Sequence, residues 1–517
     1  MATLCLVCPP QVYSAGQISS GLVPPIGPCY IAAYARQCGH RVTIVDGLGE
    51  GHQRLERYGT LWKRGLTVEE IVARIPGDAD LIGISNLFGH AVPLVREIAR
   101  GIKRRAAEIP IIVGGVTPTA IPGIVLSCPE IDYVCVGEGE RVVANALARI
   151  DAGRPVSDLK GLAYRRDGGV VINPREERIA DLDSLPFPAY DLIPIENYIT
   201  ARCPHGAARG RWLPLQGSRG CAYKCTFCTA PHTWAGQRYG RSPENIAEEM
   251  LYWNRTLGIT DFHCEDVSLI ETKEWAVRFA AAVEEKRLRV TWQVPNGIRS
   301  EAIDPESVAL LKKSGCRNIT FAAESGSPRV LGEMRKELNL GDLVEAARAS
   351  VRAGLITCVF FVIGTPAERP EDFEDTRRLI RRLARMGVHE ISVTTFSALP
   401  GSELFFNLVK EGKVTFDDEF FFDLLKMADL TSARSWNPHL DNQELGRIRR
   451  QAYLSFFVWS ALFRPWRPVA WLFNGLCGRQ TCKIERIIHE KFLTTMRILR
   501  QTRAGGAEPG RRSLGAG

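Results

Sequence analysis

The chain has 517 residues and a mass of 57.4 kDa, enough for about three domains at roughly 150 residues each. Hydrophobic residues make up 45% and charged residues 24%, which excludes a mostly disordered protein and a polytopic membrane protein. Lys and Arg number 66 against 58 Asp and Glu, and the net +8 is too thinly spread to suggest a nucleic-acid partner, though it suits an anionic substrate, cofactor or membrane surface. Residues 1–150 alternate short apolar runs with helical patterns. Strands are predicted over Thr3–Val7, Arg41–Val45, Asp80–Ser85, Pro110–Val113 and Asp132–Val136, with helices such as Cys29–Cys38 and Val92–Arg104 between them. That alternation reads as a parallel, doubly wound, Rossmann-like α/β sheet, which binds ligands beyond the C-terminal strand ends. Gly- and Pro-rich pieces fall at those ends: Pro24-Pro25-Ile26-Gly27, Gly114-Gly115-Val116-Thr117-Pro118 and Gly137-Glu138-Gly139-Glu140.

Residues 151–210 read as a connector, with a hairpin over Gly161–Ile172 and a Pro-broken stretch from Leu185 to Pro194. Residues 211–405 hold a second β/α series, with strands predicted over Leu213–Ser218, Ile259–His263, Val290–Val294, Asn318–Ala323, Thr357–Ile363 and Glu390–Thr395. Six βα units fit a partial or complete TIM-type β/α barrel, with active groups at the C-terminal strand ends. Residues 406–503 form a helical, aromatic-rich C-terminal extension, and residues 504–517 are expected to be a disordered tail. Within the extension, Ala452–Phe463 and Val469–Phe473 are apolar nearly all round and flank Arg464-Pro465-Trp466-Arg467-Pro468. Each half is too short to span a bilayer. Two readings stay open: a buried helical hairpin on the barrel, or a surface anchor with Trp459, Trp466 and Trp471 at the headgroup level, which would suit an apolar or lipid substrate.

Fifteen cysteines are too few for a disulfide scaffold, and Met1–Pro10 has neither the basic segment nor the apolar run of a signal peptide. A reducing cytoplasmic compartment is expected, with peripheral membrane contact through the extension as a variant of it. There, clustered cysteines point to a metal or to catalysis. Gly217-Ser218-Arg219-Gly220-Cys221-Ala222-Tyr223-Lys224-Cys225-Thr226-Phe227-Cys228 is such a cluster, just after the first strand of the second series. Three thiolates suit a [4Fe–4S] cubane with one iron left open. A closed zinc site would want a fourth ligand, for which His205 and His232 stand as candidates.

The C-x3-C-x2-C spacing, with Phe227 before the last Cys, resembles the signature of the radical S-adenosylmethionine (SAM) superfamily. The resemblance implies that Cys221, Cys225 and Cys228 hold the cluster and that SAM binds the open iron, where a reductant such as flavodoxin or ferredoxin triggers its cleavage to a 5′-deoxyadenosyl radical. It further implies SAM contacts from Phe227, Glu265, Asp266, Glu324, Ser325 and Gly364. Glu265 or Asp266 would meet the SAM ammonium, and Glu324 the ribose hydroxyls. The plain alternatives are a solvated acidic loop at Glu265-Asp266, a helix N-cap at Ser325 and a turn at Gly364. The N-terminal segments resemble the cobalamin-binding domain of B12-dependent radical SAM proteins, which implies corrin contacts from Pro25, Gly27, Gly114, Gly115, Thr117, Gly137, Glu138 and Gly139. No Asp-x-His-x-x-Gly is present, and Asp46 to His52 does not match that spacing, so cobalamin is expected without that His ligand. The alternative is a degenerate module that holds no cofactor. No catalytic acid, base or nucleophile stands out. The resemblance implies C-methylation of an unactivated carbon by methylcobalamin and the deoxyadenosyl radical. A radical cyclase or other non-methylating reaction is the nearest rival, and a non-catalytic B12 or Fe–S sensor the rival from another class.

Overall fold

The structure is a computed structural model that describes residues 1–17 and 21–505. Its N-terminal sheet contains β1 (Thr3–Cys8), β2 (Arg41–Asp46), β3 (Leu81–Ser85), β4 (Ile111–Gly114), β5 (Tyr133–Cys135), β6 (Leu162–Arg166) and β7 (Gly169–Ile172). The strands lie in the order β7-β6-β5-β4-β3-β1-β2, parallel from β2 to β5 and antiparallel beyond. Every residue of β1 is buried, as a central strand covered on both faces requires. The strand order reverses between β1 and β3, so the ligand crevice of this sheet opens beyond the ends of those two strands. The hairpin expected in the connector is instead the edge of this sheet, with β6 paired to β5. Three short antiparallel strands, Gln11–Tyr13, Leu61–Arg64 and Leu55–Tyr58, form a separate small sheet. Its sequence hides it, because Lys63 and Arg64 occupy buried positions that read as solvent-facing.

The second sheet contains β8 (Trp212–Leu215), β9 (Asp261–Cys264), β10 (Thr291–Ile298), β11 (Cys316–Glu324), β12 (Ile356–Ile363) and β13 (Glu390–Thr395) in sequential order, every neighbour parallel. Among the described residues β13 does not pair with β8, so the barrel is partial. The first predicted strand of the series breaks at Gln216 and Gly217, and Ser218–Gly220 then pairs with Arg238–Gly240 in an antiparallel ribbon. At the N-terminal strand ends the barrel has a polar floor. Asp261 bonds His263 (3.1 Å) and Arg317 (3.0 Å), Gln293 donates to the Ala207 carbonyl (2.8 Å), and the Arg209 amide donates to Asp261 (3.1 Å). The Gln480 side chain accepts from the Ala208 amide and donates to the Arg202 carbonyl, so segments from either end of the barrel close it from below.

The extension packs Asn442–Phe463 on the helix Pro370–Met386 and on β13, where the Val393 amide donates to Tyr453 (2.9 Å). Arg464 and Arg467 donate to the carbonyls of Ala384 to Val388 and so cap that helix rather than facing outward. Trp471 is buried and Trp459 lies half-buried under the Arg385 guanidinium, 3.9 Å from its ring centroid. Only one side of the hairpin is core. Leu454, Val458 and Leu462 line the outer face of one helix, and Trp466, Val469, Leu472 and Phe473 that of the helix Trp466–Leu476. No helix among the described residues is long and apolar enough to cross a membrane. The last helix is Lys483–Gly505, and the expected disordered tail falls, from residue 506 on, outside the described residues.

Candidate functional site

The cysteine loop hangs from the C-terminal end of β8, and its anchors come from far along the chain. Asp266, two residues past β9, accepts from the Gly217 amide (3.0 Å) and the Ser218 hydroxyl (2.6 Å). Burial pushes its carboxyl up to about 6. Gly220 sits at φ +78°, and a Cβ there would stand 2.1 Å from the Gln237 carbonyl oxygen, so the residue before Cys221 has to be glycine. On the far side the Thr226 amide donates to the Met334 carbonyl, and the Leu404 amide to the Thr226 carbonyl, both at 3.0 Å. Cys221, Cys225 and Cys228 are half-buried free thiols between these anchors. Burial raises Cys225, and raises Cys228 to about 11, so neither is a thiolate by itself. A cationic iron centre is the partner such thiols fit.

Among the described residues no histidine joins the three thiols as a fourth zinc ligand. His205 bonds Glu265 (3.1 Å), and His232 packs its ring on Phe406. Among the described residues no three His, Cys, Asp or Glu side chains converge on one ion. A cubane, which spreads its thiolates over separate irons, does not require that convergence.

Around the loop the predicted SAM residues take different roles. Asp266 is taken up by the loop itself. Glu265 accepts from Asn296 (3.3 Å) and bonds His205 through Oε2, while its buried Oε1 has no partner and can accept from a bound ammonium. Burial opposes its charge, but His205 beside it holds the carboxyl below its usual range. Glu324 ends β11 at φ +60°, a strained conformation for a non-glycine, and its Oε1 lies 3.0 Å from Lys336 Nζ. Both side chains are almost fully buried, and Glu324 raises the Lys336 ammonium despite the opposing effect of burial. Lys336 is a cation close to Cys225 that the sequence did not single out.

Ser325 shares its hydroxyl with Thr376 (3.2 Å) and accepts from the Ser327 amide, so it shapes the turn, and Ser327 rather than Ser325 caps the next helix. Phe227 packs against the apolar cluster that joins both domains, which includes Ala120, Ile121, Phe396 and Phe405. Gly364 at φ +80° packs on Leu445, and its amide donates to Glu368 (2.5 Å). The sequence also gave no sign of Glu368 or Asn437. Asn437 holds the same loop by donating to the Thr365 and Glu368 carbonyls.

In the N-terminal domain, Gly115 at φ +133° lies where a Cβ would meet the Asn86 carbonyl oxygen at 2.2 Å, and Gly114 lies against Cys135. Thr117 donates to the Leu87 carbonyl (3.3 Å), and the Gly137 amide, at φ +105°, donates to Thr119 (3.0 Å). Pro25 precedes the helix Ile26–Gln37, in whose first turn Gly27 faces open space, and Gly139 packs on Ile31. Glu138 does not face the crevice alone: it accepts from the Ile179 amide and pairs with Arg219 (2.9 Å). Glu140 pairs with the same guanidinium (2.6 Å), and all three side chains are nearly buried. Arg219 thus ties the N-terminal domain to the residue before Gly220-Cys221. Asp46 accepts from Gly49 and Tyr198, and His52 bonds the Gly49 carbonyl, so that turn is structural. Gly401, with a Cβ position 3.0 Å from Ala120 and 3.7 Å from His232, completes the contact between the two domains.

Comparison with known proteins agrees with this division. The B12 binding domain model matches residues 18–147, and the Radical SAM superfamily model matches residues 215–401. An uncharacterized methyltransferase of Pyrococcus horikoshii is 25% identical over 460 residues, 88% of this chain and 92% of that one. Cytidylyl-2-hydroxyethylphosphonate methyltransferase of Streptomyces wedmorensis is 27% identical over 82% of this chain and 84% of its own. The structure of the radical SAM methyltransferase TsrM from Kitasatospora setae, with cobalamin and a [4Fe–4S] cluster bound, superposes with a TM-score of 0.60 at 18% identity, covering 80% of this chain and 78% of that one, and so shares the fold. The two domain models and the cysteine loop together give this chain an N-terminal B12-binding domain followed by a radical SAM domain, an enzyme of [4Fe–4S] cluster, SAM and cobalamin.

Proposed function

We propose that the chain is a C-methyltransferase acting on an unactivated carbon of a small molecule. The observation that carries this reading is the interdomain contact, in which Arg219, Glu138 and Glu140 on one side and Gly401 and Ala120 on the other turn the cysteine loop toward the C-terminal end of the N-terminal sheet. Bound at these two places, the cluster with SAM supplies hydrogen abstraction and cobalamin supplies a methyl group. The chain's own residues do the rest. Three cysteines would hold the cluster, Glu265 Oε1 would accept from the SAM ammonium, Lys336 offers a cation beside Glu324 and Cys225, and Glu368 and Asn437 fix the Gly364 loop. The apolar cluster between the domains keeps water from the space they share.

The test is anaerobic turnover with reductant, cobalamin, SAM deuterated in its methyl group and a metabolite extract. The expected result is a product carrying the deuterated methyl, with S-adenosylhomocysteine and 5′-deoxyadenosine in equal amount. Deoxyadenosine without S-adenosylhomocysteine would favour the cyclase reading, and neither product the sensor reading. The outer face of the C-terminal hairpin supports an apolar substrate drawn from an anionic membrane surface. Its exposed Leu462, Trp466, Val469 and Phe473 are accompanied by exposed Arg447, Arg450, Arg479 and Lys491. Sedimentation with anionic vesicles, weakened in Trp466→Ala with Phe473→Ala at unchanged stability, is the expected result. Full retention in the supernatant would refute it.

A further inference from the structure

The crevice between β1 and β3 has a lining that none of the glycine-rich segments provides. Beyond Ser85 the chain runs through Asn86, Leu87 and Phe88 before the short turn Gly89–Ala91. The backbone of this loop is fixed from both sides. The Asn86 amide donates to the Gly114 carbonyl (2.7 Å), the Leu87 carbonyl accepts from Thr117, and Gly89 packs on Pro400 of the barrel and Leu424 of the C-terminal extension. Its side chains are nonetheless only partly engaged. Asn86 is 1% exposed, yet neither its Oδ1 nor its Nδ2 has a hydrogen-bond partner. Leu87 is 53% and Phe88 59% exposed, and apart from Met1 they are the only large hydrophobic side chains exposed among the described residues of 1–150. A buried amide with both ends open is costly unless a ligand completes it. Two large apolar side chains held out of the core beside it, at the strand-order reversal, describe a surface for a flat, mostly apolar ring whose rim carries amides.

We propose that Asn86, Leu87 and Phe88 are the bed for one face of the corrin, with Leu87 and Phe88 covering the ring and the Asn86 amide pairing with an amide on its rim. The proposal rests on the assignment of cobalamin to the N-terminal domain. It means that the cobalt face turned to this loop meets hydrocarbon and not a nitrogen ligand. His90, two residues on, is occupied in stacking on Phe88, with ring centroids 5.5 Å apart and planes 11° from parallel.

The test is equilibrium binding of hydroxocobalamin to the full chain carrying its cluster. Asn86→Ala removes an unpaired buried group, so without corrin the variant should melt no lower than wild type while corrin binding weakens about tenfold. Leu87→Asp, at an exposed position, should weaken corrin binding at least as much with iron content unchanged. The paramagnetic resonance spectrum of the Co(II) form should lack nitrogen splitting. Wild-type affinity in both variants would overturn the proposal, as would nitrogen splitting that disappears in His90→Ala. A wild-type chain that binds no corrin at all would overturn instead the assignment on which the proposal rests.

Discussion

Replacing Arg219 by Met tests how the two domains are held together. The guanidinium is 6% exposed and faces Glu138 at 11% and Glu140 at 5%, so its loss leaves two nearly buried carboxylates side by side without a counter-charge. Removing one partner of a buried ion pair costs about 3–5 kcal/mol, a large share of a total stability of about 5–15 kcal/mol. At about 2–4 °C per kcal/mol for a domain of this size, the expected fall in melting temperature is on the order of 10 °C. Glu140→Gln keeps the Arg219–Glu138 pair and loses one charge-assisted bond, so about 1.5–3 kcal/mol is expected. The deficit of Arg219→Met should depend on pH in one direction. Two buried negative charges without a counter-charge repel each other and acid removes that repulsion, so the variant is least impaired at acidic pH and more impaired as pH rises. The cysteine loop keeps its anchors at Asp266 and Met334 when the tie to Glu138 and Glu140 is cut, so SAM cleavage should survive better than methyl transfer, and deoxyadenosine formed per methylated product should rise. Thermal melts at several pH values and that product ratio are the assays. A variant that melts like wild type at neutral pH and stays fully coupled would refute the reasoning.

Cys221→Ala, Cys225→Ala or Cys228→Ala should abolish deoxyadenosine formation, and anaerobic reconstitution followed by iron analysis should show the cluster lost or labile. Gly220→Ala should reduce cluster loading while the N-terminal domain still binds corrin, because a Cβ collides with the Gln237 carbonyl oxygen at φ +78°; iron and corrin contents measured on one sample check this. Glu368 is pushed from 4.5 up to about 8 by burial, so its stabilising contribution is full below about pH 4.5 and is lost as pH rises through about 8. Glu368→Gln should flatten that part of the stability–pH profile, measured by denaturant titration.

The parts of this molecule legible in the sequence were those whose signal is local. The C-x3-C-x2-C spacing lies within one loop, and the strands of both series carry their apolar runs in their own residues. Even there, the break of the first barrel strand at Gln216-Gly217 depends on Asp266, 49 residues away, which draws Gly217 out of register. The same distance explains why Glu265 and Asp266 could not be told apart: the Ser218 hydroxyl and the Gly217 amide decide which carboxylate is spent. Lys336, Glu368 and Arg219 read as ordinary surface charges until the fold brings Glu324, Gly364 and Glu138 to them. Asn86 gave no sign either, because the absence of a hydrogen-bond partner is a property of the folded neighbourhood alone.

The polar floor of the barrel bears on traffic through the lumen. With Ala207–Arg209 and Gln480 drawn across the lower strand ends, a molecule in the lumen has no passage below it. Entry and exit are left to the upper rim, where Asp266 anchors the cysteine loop, and to the seam between β13 and β8 that stays unpaired among the described residues. A change that narrows that rim should therefore slow arrival and departure together.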